Sequence, residues 1–211
     1  MKITYLESVD STQTYLKSLI KNSSVELPHA ISAELQTGGI GSRNNSWTGY
    51  KGNLFLSFAI KLNDLPKDLK LESASIYFAY ILKETLKYEN SQVWLKWPND
   101  FYIGDKKIGG MITNIVSDAL VCGVGINLVD APENFDKLDI NISKEKLLNN
   151  YFKNIENLIS WKQIFSKYKL EFYRNRNFFT HNTNYKISLS DAELQDDGSI
   201  IINDERIYSL R

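Results

Sequence analysis

Cysteine, histidine, net charge and long apolar runs are what this chain of 211 residues has least of. The one cysteine, Cys122, sits in an apolar run and has no second thiol to bridge. It reads as a small core residue in a reducing compartment, and the expected setting is the cytoplasm. Two histidines, His29 and His181, with that one thiol do not make a soft-ligand metal site. Lys and Arg number 25 against 25 Asp and Glu, so no global attraction to DNA or an anionic membrane is expected. No apolar run approaches a membrane span, and the opening MKITYLESVDST lacks the basic-then-apolar pattern of a secretory signal. A soluble protein follows, long enough for a full core and organised as one domain, or one domain with a small appendage.

What is there alternates between strand and helix. Ile3–Leu6 reads as a strand, and Asp10 or Ser11 then caps a helix over Thr14–Lys21. Ala30–Leu35 reads as a strand leading into the glycine-rich stretch from Gln36 to Trp47, which lacks a Rossmann fingerprint and by itself is a flexible surface loop. Asn53–Ile60 is a continuous apolar run, expected to be a central strand covered on both faces. Leu71–Tyr88 carries a helical period and should pack on the sheet, its tyrosines and phenylalanine serving as core. Two amphipathic helices are expected near Ser143–Leu158 and Trp161–Tyr173, with Tyr151, Phe152, Trp161, Phe165, Tyr168, Phe172 and Tyr173 on their buried face. From Tyr185 short alternating strands take over, with Asp196-Asp197-Gly198 as a turn. The expected division is a main body over 1–180 and a small β-module over 181–211.

The stretch from Val93 to Asn114, VWLKWPNDFYIGDKKIGGMITN, carries the chemistry. Strand-forming residues are broken by Pro98-Asn99-Asp100, resume at Phe101–Ile103, and turn at Gly104-Asp105 into a return strand. Lys96, Lys107, Asn99 and Asp100 thereby gather at neighbouring strand ends. Lysines can neutralise phosphate oxygens, a carboxylate can hold a divalent metal, and Gly109-Gly110 let a ligand approach the backbone. On spacing alone the lysines read rather as edge-strand guards against aggregation. Further on, Gly123-Val124-Gly125-Ile126-Asn127 places glycines inside a strand, which marks either close approach of a ligand or tight packing of another strand.

The string KWPND followed by GDKKIGG resembles the signature of the biotin protein ligases, and three further motifs agree in order. Asp10-Ser11-Thr12-Gln13 is similar to a D-S-T-N/Q element that hydrogen-bonds the ureido head of biotin. Gln36, Gly39, Gly41 and Trp47 fall in register with the ligand loop Q-x-x-G-R-G-R-x-G-x-x-W. Gly123 to Asn127 matches G-x-G-I-N, and the chain closes on Ser-Leu-Arg as family members do. The resemblance implies an α/β (α+β) fold: a mixed β-sheet flanked by helices, class II synthetase-like, with a small C-terminal SH3-like β-module. It also implies the reaction. Biotin is activated with ATP and Mg²⁺ to biotinyl-5′-AMP, then passed to one lysine of the biotin carboxyl carrier protein of acetyl-CoA carboxylase or a similar enzyme.

Carried onto this sequence, biotin is expected to contact Ser11, Thr12, Gln13, Gln36, Gly39, Ile40, Gly41, Ser42, Lys107 and Gly110. ATP is expected at Arg43, Trp47, Lys96, Asn99, Asp100 and Asn127, with Asp100 the candidate Mg²⁺ ligand. Lys107, Lys96 and Arg43 are the expected catalytic residues, Lys107 bridging biotin's carboxylate and the α-phosphate. No side chain is singled out as base for the acceptor amine. One departure stands out. The family's alternate arginines are replaced by Ile40 and Ser42, while Arg43 lies one place further on and is expected to supply the charge.

The catalytic pattern begins within the first dozen residues. The expectation is therefore a short form without the N-terminal winged helix of repressor relatives and, with zero net charge as well, no DNA partner; the balanced charge and lack of a spanning run lead to no membrane partner either. Either a monomer or a homodimer is compatible. Two alternatives remain: a lipoate–protein ligase, which shares the fold and the adenylation logic but whose pocket takes an apolar dithiolane chain, and a biotin-binding sensor that has lost catalysis.

Overall fold

The computed structural model describes residues 1–42, 45–182 and 185–209. In chain order the elements are β1 (Lys2–Leu6), α1 (Thr12–Lys21), β2 (His29–Ala33), β3 (Gly39–Ile40), β4 (Ser46–Trp47), β5 (Leu54–Lys61), α2 (Ala74–Tyr88), β6 (Trp94–Lys96), β7 (Asp100–Ile103), β8 (Lys106–Val116), β9 (Ala119–Ile126), α3 (Lys144–Glu156) and α4 (Trp161–Glu171). After them come β10 (Phe179–Asn182), β11 (Tyr185–Ser188), β12 (Glu193–Leu194), β13 (Ile200–Ile202) and β14 (Glu205–Ile207). Seven strands form one sheet in the order β1-β2-β5-β9-β8-β7-β6. Its β1–β2 pair is parallel and the other neighbours are antiparallel, which makes the sheet mixed.

β5 shows why the sheet needs cover on both sides. Leu54, Leu56, Phe58 and Ile60 point into the larger core with α2, α3 and α4. Ala59 points the other way, into a smaller cluster with Leu16 of α1, Ile31 and Val121. A run that is apolar at both parities can be buried only between two layers. β9 repeats the pattern, sending Leu120, Cys122, Val124 and Ile126 to the larger core.

Several expectations are corrected in detail. Ser11, not Asp10, caps α1, its hydroxyl accepting from the Thr14 amide at 3.3 Å, and the helix starts at Thr12. The Leu71–Tyr88 helix begins as a 3₁₀ turn at Leu71–Ser73, and α2 is buried around most of its circumference because α3 and α4 cover the side away from the sheet. Lys83 is consequently enclosed, its ammonium paired with Glu171 at 2.6 Å and Glu84 at 2.9 Å and lying over the Tyr80 ring. Tyr173, expected in the core, falls in the 3₁₀ turn after α4 and is exposed. Ser143 caps α3 as expected, and α4 gains a capping box between Ser160 and Gln163. The C-terminal strands form two small antiparallel sheets, β10–β11 and β12–β13–β14, with Gly198 at φ +77° in the turn before β13. Among the described residues no helix is long and apolar enough to cross a membrane.

Candidate active site

The start of α1 and the end of β2 run side by side. Backbone amides of Thr37 and Gly38 donate to the carbonyls of Val9 and Asp10 at 3.1 and 2.8 Å, so residues 9–12 and 36–38 form one wall. The wall carries a chain of hydroxyls. Ser57 and Thr12 hydroxyls are 2.8 Å apart, and the Thr12 hydroxyl and amide both donate to Gln36 Oε1 at 2.8 Å. All four of Ser11, Thr12, Gln13 and Ser57 are buried. Gln13 Nε2 is buried without an acceptor among the described residues. A buried amide donor costs about 1–3 kcal/mol when unpaired, so this wall is built for a neutral polar group that completes it.

The opposite wall is the hairpin β6–β7–β8. Lys96 pairs across the strands with Asp100, and Asp100 with Gly110. Strand alternation by itself would send Lys107 and Gly110, three residues apart, to opposite faces. The register shifts between Phe101 and Tyr102: Phe101 faces Gly109 but Tyr102 faces Lys107, leaving Ile108 as the extra, bulged residue. Ile108 turns into the core, and Lys107 and Gly110 emerge on the same face. There Asp100 lies 2.7 Å from the Lys107 ammonium and 3.7 Å from that of Lys96. Asn99 is locked to β8, its Nδ2 donating to the Met111 carbonyl and its own carbonyl accepting from the Met111 amide at 3.0 Å. Burial, with Asp100's charge beside it, keeps the Tyr102 hydroxyl protonated well above the ordinary tyrosine range.

Asp100 is the carboxylate of this wall, and among the described residues no group of three or more His, Cys, Asp or Glu converges on a point that could hold an ion. The donor set therefore suits magnesium brought in on a polyphosphate and touched by one carboxylate, not a cage made of protein.

Glycines form the floor. A Cβ on Gly123 would stand 3.1 Å from Gln13 Nε2, and one on Gly125 would stand 2.6 Å from the Trp47 indole. Both glycines thus admit side chains of the site over the strand. The Gln36–Trp47 stretch, expected as a loop, folds into a short hairpin in which Gly39 faces Trp47 and Ile40 faces Ser46. It covers the recess with Ile40, Gly41, Ser42 and Trp47. Beneath it the free volume is about 60 Å³, room for no more than a few water molecules.

Asn127 lies behind Trp47, in a neighbouring recess with Ser46, Thr48, Pro132 and Phe135. Its side chain is engaged by Asn53, whose Nδ2 donates to Asn127 Oδ1 at 3.3 Å, and by the Asp136 carbonyl. Asn53 Oδ1 also accepts from the amides of Leu128, Val129 and Asp130 at 3.1, 3.0 and 3.4 Å. Arg43 lies outside the described residues.

A polar pocket for a neutral group, a lysine-rich end and a glycine floor under a hairpin cover can be compared with known proteins. The sequence profile of the biotin/lipoate A/B protein ligase family matches residues 5–128. The chain belongs to this family. The biotin acetyl coenzyme A carboxylase synthetase of Helicobacter pylori, solved with bound biotinylated ATP, superposes with a TM-score of 0.94 at 41% identity, covering 98% of this chain and 99% of that one. The Aquifex aeolicus biotin protein ligase, solved with biotin and ATP, shares the fold with a TM-score of 0.78 at 24% identity, over 98% and 94% of the two chains. The bifunctional ligase/repressor BirA of Escherichia coli is 32% identical over 133 residues, which is 60% of this chain and 40% of that protein. The chain thus matches less than half the length of that curated relative.

For this member of the family, the recess brings together Ser11, Thr12, Gln13, Gln36, Ile40, Gly41, Ser42, Trp47, Asn99, Asp100, Lys107 and Gly110. Lys96 reaches it through Asp100, Gly39 supports it as the strand partner of Trp47, and Asn127 stands apart. Sequence reasoning missed Ser57 and Asn53. Ser57 had a signal, being the lone hydroxyl in the apolar run LFLSFAI.

Proposed function

We propose that this protein is an ATP-dependent biotin protein ligase. The observation that carries the reading is the polarity of one recess. At one end, Thr12, Gln36, Ser57 and the unpaired Gln13 donor suit a neutral ureido head. At the other, Lys96 and Lys107 flank Asp100 where a carboxylate and phosphates would meet.

In the first step a carboxylate oxygen of biotin attacks the α-phosphorus of ATP, the bond from that phosphorus to the β-bridging oxygen breaks, and pyrophosphate leaves. Negative charge builds on the α-phosphate oxygens, and a preplaced ammonium there stabilises it without reorganisation. Lys107 is assigned that role and Lys96 supports it. Asp100 holds the Lys107 ammonium in place until the phosphate arrives. Magnesium carried on the triphosphate would neutralise its outer oxygens beside Asp100. Arg43 is assigned to the phosphate end, in place of the family arginines absent at Ile40 and Ser42. Ile40, Gly41, Ser42 and Trp47 close over the adenylate and keep water from the mixed anhydride.

In the second step the neutral ε-amine of a lysine on a biotin carboxyl carrier protein attacks the acyl carbon. The carbon–oxygen bond to the phosphate breaks, AMP leaves and the amine loses a proton. The proposed setting is the cytoplasm, in keeping with a buried, unpaired Cys122 thiol.

The test is exchange of labelled pyrophosphate into ATP, with biotin or lipoate as the acid. Wild-type exchange should require biotin and ignore lipoate. Lys107→Ala should reduce it by about 10²–10³-fold, the usual loss when a preorganised charge donor is removed. Exchange driven by lipoate would overturn the substrate assignment. Biotin binding without any exchange would make the protein a sensor.

A further inference from the structure

Trp97 separates Lys96 from Asn99 and Asp100, and it is fully buried. Neither of its N–H groups is held by the sheet. Its amide donates to Asn175 Oδ1 at 2.7 Å, and its indole donates to the carbonyl of Gly198 at 2.8 Å. Asn175 is itself wholly buried in the 3₁₀ turn after α4, and its Nδ2 donates to the Phe172 carbonyl at 2.9 Å. That second bond fixes which way the amide faces, so the oxygen is always presented to Trp97.

Gly198 belongs to a turn that grips three elements in succession. The carbonyls of Asp196, Asp197 and Gly198 accept from the Trp161 indole at 2.8 Å, the Ser73 hydroxyl at 2.5 Å and the Trp97 indole. These donors stand at the start of α4, just before α2, and in the lysine-bearing loop. A Cβ on Gly198 would come within 2.8 Å of Ile76 Cδ1, so the turn sits hard against α2. The groups at the other end of the recess, Thr12, Gln36 and Ser57, bond among themselves on α1, the segment after β2, and β5.

We infer that Asn175 and the Gly198 carbonyl are positioning groups for the phosphate end of the site. Through Trp97 they hold Lys96, Asn99 and Asp100 in line, which gives the C-terminal strands a part in nucleotide handling and none in head-group recognition. The inference rests on the reading above that this end takes the nucleotide's phosphates.

The test uses Trp97→Phe, which keeps the ring but removes the indole N–H, and Asn175→Leu, which keeps the volume but removes both polar atoms. Each variant is measured by thermal melting, by pyrophosphate exchange with ATP and biotin titrated separately, and by calorimetric binding of a non-hydrolysable ATP analogue and of biotin. Displacement of reacting groups by about 1 Å costs up to 10²-fold, so kcat/KM for ATP should fall by about 10-fold or more. Affinity for the ATP analogue should fall with it, while biotin affinity stays within about twofold, a change too small to count as a lost contact. Unchanged ATP parameters, or ATP and biotin affinity falling together, would overturn the inference. If Asn175→Leu does not fold, Trp97→Phe decides alone. Absence of exchange in the wild type would sink the ligase reading, and the analogue affinities would still decide the positioning.

Discussion

Gly125→Ala is the substitution for which the structure gives the sharpest expectation. The added carbon would sit 2.6 Å from both Cε2 and Nε1 of Trp47 and 3.0 Å from Cζ2. Carbon atoms pack best at about 3.5–4.0 Å, so the indole must retreat by about 1 Å. It has no free direction along the strand, because Trp47 is hydrogen-bonded into the hairpin opposite Gly39 and its ring meets Phe135 edge-on with centroids 6.5 Å apart. The hairpin as a whole must lift. Overpacking of this kind costs about 1–3 kcal/mol of stability, and a cover displaced by about 1 Å should lower kcat/KM for pyrophosphate exchange by up to about 10²-fold. Gly123→Ala is the control. Its Cβ meets Gln13 at 3.1 Å, the far end of a flexible side chain that can yield by a few tenths of an ångström. That variant should raise the KM for biotin and leave the KM for ATP alone. Exchange kinetics, melting temperature and tryptophan fluorescence on both proteins make the comparison. A Gly125→Ala protein with wild-type kcat/KM and an unshifted tryptophan spectrum would refute the idea that the glycine exists to seat Trp47.

Two further outcomes are expected. Asn53→Ala removes one acceptor shared by the amides of Leu128, Val129 and Asp130, at a cost of about 1–3 kcal/mol; a melting temperature lower by about 2–12 °C should record it. Asp197 is buried, which opposes its ionisation, but hydrogen bonds from Ser199 and the charge of Arg206 outweigh that and hold its carboxyl below the usual range. Its contribution to stability is therefore complete above the ordinary aspartate value of about 3.9 and is lost as pH falls through the lower folded value. Acid unfolding followed at the C-terminal strands should be flatter in Asp197→Asn, and an identical acid limb would count against this account.

The order of strands and helices was legible because the sheet leaves few choices. β5 and β9 are apolar at both parities, and a strand of that kind has to lie in the middle. Boundaries moved by one to three residues wherever a cap or pairing partner decided them, as when Ser11 captured the Thr14 amide and started α1 early. The roundly buried α2 was less legible, since the Glu171 carboxylate that meets the enclosed Lys83 ammonium lies 88 residues away. β3 and β4 were missed because a pair of two-residue strands leaves no periodicity to read.

The site divides along the same line. Contacts local in sequence, such as Lys96 with Asp100, could be placed from the motif alone. Those that depend on register could not. Lys107 and Gly110 share a face only because Ile108 bulges, and a reading that alternates strictly would set the ammonium on one side of the sheet and the glycine on the other. The bulge also accounts for the spacing of the motif itself. Phe101 and Gly109 pair on the core side, one step from Asp100 and Gly110, so a strictly alternating strand of the same length could keep either the core contact or the lysine at the site, but not both. A deletion of Ile108 should then restore strict alternation and keep Lys107 on the recess face, two residues from Gly110, at the cost of the Ile108 core contact. The KWPND-to-glycine interval is, on this argument, a measurement of sheet register as much as a list of functional side chains.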